Sequence, residues 1–356
     1  MNNKLLLLCL VFLLFGILPD CFAQDFGLII NQKALLPDNE QSLDGIEYSA
    51  GIIPWFSAPL GDRADFYFSG GLSAQYDDEE WKPLPEIYRF EFMYNPLPNL
   101  RLEIGRVPFR QNLSLVFAGL ADGLSAGLTT GGGRLNGGLF YTGLLYKKAA
   151  YIYMSPADRA DYSDKAVYFA SRRLIAALNW EKTSVFDTQN NLSLSGVCQF
   201  DLNETDAQIH SQYLEARFTV PLGAHFNTVS GAVIELAEET GKDPYAAFVF
   251  SAEVQWLPPT AITDVLSVTG RFSSGAWNDT FGPFILVTAE AQGKVLRPML
   301  SGIALAEAAY TARLHRTLSA AVSGAYFFRT DKITYTAPDL DTLSDSPLLG
   351  AEIYGG

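Results

Sequence analysis

Residues Glu86 to Phe109 read EIYRFEFMYNPLPNLRLEIGRVPF, and this stretch determines how the whole chain is interpreted. In its first half, aromatic side chains occupy every second position: Tyr88, Phe90, Phe92 and Tyr94. A period of two residues is that of a β-strand, in which successive side chains point to opposite faces. The alternation resumes at Leu100, after Asn95-Pro-Leu-Pro-Asn99, where two prolines without backbone N–H groups interrupt any helix or strand ladder. The stretch therefore predicts an antiparallel hairpin.

The two faces of this hairpin differ in chemistry. One carries aromatic and aliphatic side chains, and the other carries the charged residues Arg89, Glu91, Arg101 and Glu103. A strand that separates lipid from a polar lumen alternates apolar and polar residues in this way. The core of a soluble sandwich is the alternative, but the tyrosines on the apolar face favour a membrane wall. We therefore expect the rest of the chain to repeat this unit around a closed barrel.

The composition of the 356-residue chain is compatible with a barrel. Of its residues, 48% are hydrophobic, 13% aromatic and only 18% charged, which excludes a disordered chain. The 30 glycines, 24 phenylalanines and 17 tyrosines, against three histidines and four methionines, favour strands and aromatic belts over helices or metal chemistry. The net charge of -14 disfavours a nucleic-acid partner, because phosphates require a basic surface.

The N-terminus predicts secretion. Lys4 precedes an apolar run from Leu5 to Leu18, and Cys21-Phe-Ala23 is an acceptable cleavage site, so residues 1–23 are interpreted as a signal peptide. Beyond it no apolar run reaches the ~18 residues of a spanning helix, so we expect insertion by strands. Cys198 is the single cysteine after the signal peptide, which excludes an internal disulfide.

Alternating segments recur along residues 24–356, which we interpret as one barrel domain. Strands are expected at about residues 26–36, 46–58, 64–76, 86–95, 99–107, 119–129, 134–146, 166–180, 191–202, 211–221, 226–237, 245–257, 264–274, 298–314 and 318–329, with a last one from Leu348. Most are longer than the ~5–6 residues usual in soluble sheets. The predicted fold is an all-β transmembrane antiparallel up-and-down β-barrel of about 16 strands, or 18 if the last strands are missing from this chain.

The connections between these strands fall into two sets. Short links are built from turn residues: Pro59–Arg63, Asn95–Asn99, Thr130–Gly133, Pro221–His225, Pro258–Asp264 and His315–Thr317. The alternate links are longer and acidic, and contain Asp77–Glu80, Asp158–Asp164, Asp201–Asp206, Glu238–Asp243 and Asp339–Asp345. Outer-membrane barrels show this asymmetry, with short periplasmic turns. To preserve it, we interpret Ser274–Pro298 as one long loop, folded inward or extended above the rim.

Three short motifs resemble a known class of proteins. They are Gly105-Arg-Val-Pro-Phe109 after a charged strand, the glycine-rich Thr130–Gly133, and Tyr326-Phe-Phe-Arg329 before a loop. Together with the signal peptide and the alternation, they resemble outer-membrane porin-type β-barrels of diderm bacteria, including alginate-export-like channels and treponemal barrels. The resemblance covers essentially the whole mature chain. It implies a location in the cell outer membrane and a channel function.

No catalytic or cofactor site is predicted. His210, His225 and His315 are far apart in the sequence, which disfavours a metal site. No helix is expected after Gly131–Arg134, so this segment is interpreted as a hairpin turn rather than a phosphate site. The acidic run Asp77–Glu80 is interpreted as a solvated loop rather than a calcium site. We therefore expect no enzymatic activity, no cofactor and no metal.

Charged residues opposite the apolar positions define the candidate site. On the lipid face an arginine near the midplane would cost ~2–4 kcal/mol, so these side chains are expected to face a polar lumen. The predicted pore-lining residues are Arg89, Glu91, Arg101, Glu103, Glu215, Arg217, Glu253, Arg271, Arg313 and Arg329. They either line a wet path or pair with one another inside a plugged lumen. Both signs of charge alternate, so the sequence does not define an ion preference.

The expected function is that of a porin-like channel for passive diffusion or export of small polar solutes. The alternative is a surface barrel whose long acidic loops bind host or matrix partners, as an adhesin does. The expected partners are outer-membrane lipid and small polar or ionic solutes, with no nucleic acid. A homo-oligomer and a host or matrix ligand at the long loops both stay open.

The last strand is expected to be cut short. Only about nine residues remain from Leu348 onward, the lower limit for one crossing of the bilayer. The sequence ends in Tyr354-Gly-Gly356, whereas barrels of the class it resembles end in an aromatic residue. We therefore expect a coding sequence that continues beyond Gly356.

Overall fold

The structure of the chain is a computed structural model that describes residues 24–35, 47–77, 80–109, 115–185, 189–204, 207–278, 280–288, 291–331 and 347–356. The predicted signal peptide, residues 1–23, lies outside the described residues. The acidic residues Asp339 to Asp345 of one predicted long link also lie outside them.

The described residues form one sheet of 16 strands, in which the order of the strands follows the chain. The strands are β1 Asp25–Leu35, β2 Glu47–Pro59, β3 Ala64–Asp77, β4 Glu80–Leu97, β5 Leu100–Phe109, β6 Gly119–Thr130, β7 Gly133–Tyr141, β8 Arg173–Val185, β9 Asn190–Asp201, β10 Ile209–Leu222, β11 Phe226–Glu239, β12 Tyr245–Trp256, β13 Thr263–Ser273, β14 Ile303–His315, β15 Leu318–Arg329 and β16 Leu348–Gly355. The predicted antiparallel up-and-down arrangement of 16 strands is confirmed. Thr130 and Gly133 flank a hairpin turn, as predicted.

The chain divides into two compact units, with the boundary after Pro96. In the first unit, β1 and β2 pair without interruption from Asp25–Ser57 to Leu35–Glu47. In the second unit, β10 and β11 pair over 14 consecutive residue pairs. Because the side-chain period of a strand is two, such unbroken registers fix which face each side chain occupies. No helix in the described part of the chain is long and apolar enough to cross a membrane.

Side chains of the second unit alternate between two environments. On β10, Leu214 is 64% exposed, whereas its neighbours Tyr213 and Glu215 are buried. Exposed apolar side chains continue on the same face of adjoining strands, at Leu178, Leu194, Ile234, Phe250, Val268 and Tyr326. Exposed apolar surface of this extent is typical of a membrane-facing surface. We call this surface the apolar face, and the opposite surface the loop-bearing face.

Two long loops fold onto the loop-bearing face. The β7–β8 loop, residues 142–172, contains two short helices, α1 Lys147–Ala150 and α2 Pro156–Ser163. The Ser155 hydroxyl accepts the Asp158 N–H and the Asp158 carboxylate accepts the Ser155 N–H, a capping box that starts α2. The β13–β14 loop, residues 274–302, has no helix or strand among its described residues and buries apolar side chains in a core shared with the strands. The prediction of one long loop is confirmed, in its inward-folded form.

Three predicted strand boundaries are wrong. Strand β7 ends at Tyr141 instead of residue 146, because the chain turns there toward α1. Strand β8 begins at Arg173 instead of residue 166, because the Ala170 N–H bonds the Leu145 carbonyl within the loop rather than a neighbouring strand. Strand β14 begins at Ile303 instead of residue 298, since the preceding residues complete the inward loop.

The predicted long acidic link at Asp77–Glu80 is also wrong. Strand β3 ends at Asp77 and β4 begins at Glu80, and these two residues pair across the strands. The Trp81 ring contacts the rings of Tyr48 and Tyr76, with centroids 5.9 and 5.4 Å away. Such cross-strand aromatic contacts stabilise a hairpin. The strands therefore extend through residues whose charge predicts a loop.

Arginine substitutions on the apolar face should become less costly toward the end of a strand. We expect Leu214→Arg, in the middle of β10, to lower the free energy of unfolding in phospholipid vesicles by about 2–4 kcal/mol. The matched change Leu222→Arg, on the same face at the end of β10, should cost about 0–1 kcal/mol. Urea titration measures both. Equal losses would show that the apolar face does not cross a bilayer.

Candidate functional site

The loop-bearing face of the second unit is the candidate functional site, because it collects the polar and charged side chains of the strands. Strand β10 contributes Ser211, Tyr213, Glu215 and Arg217, which occupy every second position. Strand β11 places Glu235 directly opposite Tyr213. The alternation of the strands therefore directs these groups to one face, where the β13–β14 loop contacts Tyr213 and Glu235.

The first half of the β13–β14 loop is held at Ile285. The Tyr213 hydroxyl donates to the Ile285 carbonyl at 2.6 Å, and the Ile285 N–H donates to Oε2 of Glu235 at 2.8 Å. Nearby, the Val287 N–H donates to the Val116 carbonyl at 3.0 Å. The Phe284 ring packs edge-on against Tyr213, with centroids 6.0 Å apart. Strand side chains thus bind loop backbone that forms no ladder of its own.

The second half of the same loop is held by Arg271 and Glu352. The Arg271 guanidinium donates to the side-chain oxygen of Gln292. The Glu352 carboxylate, on β16, accepts three consecutive backbone N–H groups, those of Lys294, Val295 and Leu296, at 2.8, 2.9 and 3.0 Å. Both halves of the β13–β14 loop are therefore attached to the loop-bearing face.

A buried ion triad fixes the β7–β8 loop. The Arg173 side chain at the start of β8 is fully buried, with its Nη2 atom 2.5 Å from Oδ2 of Asp158 and its Nη1 atom 2.6 Å from Oδ2 of Asp201. Asp158 belongs to α2 and Asp201 ends β9. Buried charges are tolerated where they are paired and hydrogen-bonded, so the triad ties the helix to two strands.

Two further cations attach the loop. Arg106 on β5 forms a bidentate pair with Asp122 at 2.8 and 2.9 Å and donates to the Leu144 carbonyl at 2.9 Å. The Lys147 ammonium donates to the carbonyls of Asp161 and Asp164. Burial lowers the pKa of Lys147, and the charge of Asp164 opposes that shift. These contacts close the loop on itself and on the sheet.

Four predicted pore-lining residues form two ion pairs. Arg89 pairs with Glu91 on β4, and the Arg89 guanidinium lies 4.4 Å from the centroid of the Tyr67 ring. Arg101 pairs with Glu103 on β5 at 2.5 Å. In both pairs the partners are two residues apart and share one face of a strand, as the alternation predicts. Their role as pore-lining residues stays a prediction.

Glu215 and Arg217 occupy the middle of the loop-bearing face on β10. Glu215 is only 1% exposed, and neither of its carboxylate oxygens has a hydrogen-bond partner among the described residues. A buried carboxylate costs free energy when it lacks hydrogen-bond donors. Arg217 lies in register with Gly231, Ser251 and Arg271 on the next three strands. This row places two cations about 14 Å apart, with only small residues between them.

The other predicted residues are dispersed. The Glu253 carboxylate accepts from the Gln255 amide at 2.6 Å on β12. Arg313 is exposed next to the β14–β15 turn and donates to the Arg316 carbonyl at 3.0 Å. Arg329 is half-buried at the end of β15. The structure therefore joins the ten predicted residues into two ion pairs and one central row, and leaves the rest apart.

Several residues of the site were missed by the sequence analysis. They are Arg106, Asp122, Asp158, Arg173, Asp201, Tyr213, Glu235 and Glu352. Glu352 and Arg173 follow the strand alternation, which could have placed them on the loop-bearing face. Glu352 binds loop backbone and Arg173 binds Asp158 of the β7–β8 loop, and a strand pattern contains no signal for such partners.

The fold has clear counterparts among solved structures. OprD of Pseudomonas aeruginosa superposes with a TM-score of 0.51 at 14% sequence identity, covering 86% of this chain and 75% of that one. OccK11 (OpdR) of the same species gives 0.50 at 13% identity, over 86% and 78% of the two chains. OmpT, an outer membrane protein of Vibrio cholerae, gives 0.50 at 12% identity, over 95% and 97%. The fold is that of an outer-membrane β-barrel. Neither a protein-family model nor a curated protein sequence matches the chain.

This fold explains the two faces of the sheet. In such barrels an apolar outer face meets lipid and a polar inner face lines the interior. Together with the exposed apolar face, it places the chain in the outer membrane, as the sequence predicts. The narrower resemblance to alginate-export-like and treponemal barrels finds no support in these structures.

Removing the cation of the buried triad should release the β7–β8 loop. Arg173→Met leaves Asp158 and Asp201 buried without their partner, which we expect to lower the free energy of loop opening by about 3–5 kcal/mol. The neighbouring change Arg172→Met removes a pair with Glu204 that is exposed and 3.9 Å long, and should cost less than ~1 kcal/mol. Native-state proteolysis at the exposed Lys165 measures loop opening in detergent. Similar cleavage rates in both variants would contradict the triad's role.

Proposed function

We propose that the protein is a porin-like channel that passes small polar or ionic solutes through the outer membrane by passive diffusion or export. The proposal rests on one observation: a sheet with an exposed apolar face carries a charged, partly open face on its other side. Glu215 is buried on this face without a hydrogen-bond partner for its carboxylate oxygens among the described residues, whereas buried polar groups are normally hydrogen-bonded. No covalent step is required.

The central row supplies the proposed path. Arg217 and Arg271 flank Gly231, which has no side chain, and Ser251, whose side chain is small, so the row has room beside the wall. Glu215, two residues from Arg217 on the same face, adds a carboxylate that has no hydrogen-bond partner among the described residues. A solute with polar groups of either sign therefore finds complementary charge along the row. The ion pairs Arg89–Glu91 and Arg101–Glu103 neutralise themselves, so we expect them to contribute little ion preference.

Planar-bilayer recording tests the proposal. The purified protein should give discrete, stable conductance steps. Arg217→Glu should shift the reversal potential in a salt gradient toward cation preference, because it reverses a charge in the central row. The matched change Arg316→Glu, in the β14–β15 turn, should shift it much less. A protein that is folded in vesicles but electrically silent would contradict the channel.

A surface-binding function is the second candidate, and the β7–β8 loop favours it. From Tyr146 to Phe169, with both of these included, the loop contains six aromatic residues. The rings of Tyr151, Tyr153 and Tyr162 contact one another, with centroids 4.1 to 6.3 Å apart, and Tyr151 is 38% exposed. Exposed tyrosine clusters are typical of binding surfaces. Loop-dependent binding to host or matrix ligands by an electrically silent barrel would support this candidate over the channel.

The other expectations stay predictions. They are the absence of enzymatic activity and of a cofactor, the possibility of a homo-oligomer, and residues 1–23 as a signal peptide followed by one barrel domain. Heat-modifiable migration of the processed protein tests the domain assignment.

A further inference from the structure

We propose that Glu352 is a positioning residue that sets the width of the path by holding the tip of the β13–β14 loop, Gly293–Arg297, against β16. The inference rests on the proposed channel for its consequence, but the attachment itself can be tested without conductance. Glu352 is 9% exposed and lies on the loop-bearing face, in register with Ala325 of β15.

The contact is built from both sides. The three consecutive N–H groups of Lys294, Val295 and Leu296 converge on one carboxylate, at 2.8 to 3.0 Å. Hydrogen bonds to a charged acceptor are stronger than neutral ones. Leu296 also packs beside a small buried cluster that contains Leu305 and Phe327. The tip is therefore bound by polar and apolar contacts to the last three strands.

Two glycines make the close approach possible. A Cβ atom at Gly293 would lie 2.8 Å from Oε1 of Glu352, and Gly293 has a φ of +110° that disfavours other residues. A Cβ atom at Gly350 would lie 2.7 Å from a methyl group of Leu296. Glycine at these two positions therefore leaves room for the Glu352 carboxylate and the Leu296 side chain between the tip and β16.

The tip is a small hairpin closed by contacts at its base, and a hairpin of this size is marginally stable when nothing else holds it. The Gln292 N–H donates to the Pro298 carbonyl at 2.7 Å, and Ala291 forms an antiparallel bridge with Met299. The tip itself has other exposed residues, with Val295 64% exposed. Outside the contacts of Glu352 and Leu296, the structure gives the tip no hydrogen bond to the sheet among the described residues. Glu352 therefore contributes most of the polar attachment.

Hydrogen–deuterium exchange of the detergent-solubilised protein tests the attachment. In Glu352→Ala, the amides of Lys294, Val295 and Leu296 should exchange about tenfold faster or more, because three hydrogen bonds are lost. The decisive amide is that of Gln292, which does not touch Glu352. If loss of Glu352 releases the tip, the Gln292 amide should also exchange faster. Unchanged protection of the Gln292 amide would show that Glu352 only accepts hydrogen bonds and does not position the tip.

Glu307→Ala is the matched control. Glu307 lies on the same face and in the same register row, two strands away, since both Glu307 and Glu352 pair with Ala325. The Glu307→Ala substitution removes an equal charge without touching the tip. The amides of Gln292, Lys294, Val295 and Leu296 should therefore keep their wild-type exchange rates. Glu352→Gln retains one acceptor oxygen and should give intermediate rates, which keeps the test valid if the alanine variant does not fold.

Conductance then tests the consequence. Glu352→Ala should broaden the distribution of open-channel current amplitudes and raise the mean current. Glu307→Ala should change the ion preference without adding fluctuations to the current. If exchange shows release of the tip but the current is unchanged, the tip does not set the path width and the inference is overturned. If the wild-type protein has no conductance at all, the proposed channel fails, while the exchange data still decide the attachment.

Discussion

The need to pair every backbone N–H and C=O group in a bilayer is the constraint on which the rest of this structure depends. An unpaired group in hydrocarbon costs several kcal/mol, so strands that cross a bilayer must pair with one another. The 14 unbroken pairs between β10 and β11 show how completely the ladders do this. With the strand backbone satisfied, the side chains are free to separate into one face for lipid and one for polar contacts.

The inward loops meet the same constraint by different means. Their backbone forms no ladder, so strand carboxylates supply the acceptors: Glu235 for Ile285, and Glu352 for three amides of the tip. Asp201 likewise accepts the N–H groups of Asn203 and Ile209. The loops therefore explain in part why acidic side chains occur on the loop-bearing face, since several of these side chains bind loop N–H groups. Glu215 stands out by comparison, because it binds no loop amide in the part of the chain that the structure describes.

The sequence predicts the sheet well and the site poorly, for a physical reason. Alternation is local, so Phe90 beside Arg89, or Leu214 beside Glu215, reveals a strand and its two faces without knowledge of any partner. Residues 166–172 also look like a strand, but tertiary bonds such as Ala170 to Leu145 hold them in a loop. Glu352 and its amide partners are 56 to 58 residues apart. No local pattern connects a side chain to backbone groups at that distance, because every residue has the same N–H.

The apolar core of the loops and the central row divide the loop-bearing face between them. Phe284, Val287 and Leu300 pack with Tyr213 and the adjoining apolar wall, so this part is filled by protein. Arg217, Gly231, Ser251 and Arg271 lie outside that core, in one row across four strands. In the proposed channel, the path therefore follows the polar part of the wall, where Gly231 and Ser251 are small. By filling the apolar part of this face, the loops leave the charged row as its polar part, which is where the proposed path would have the lowest cost of dehydration.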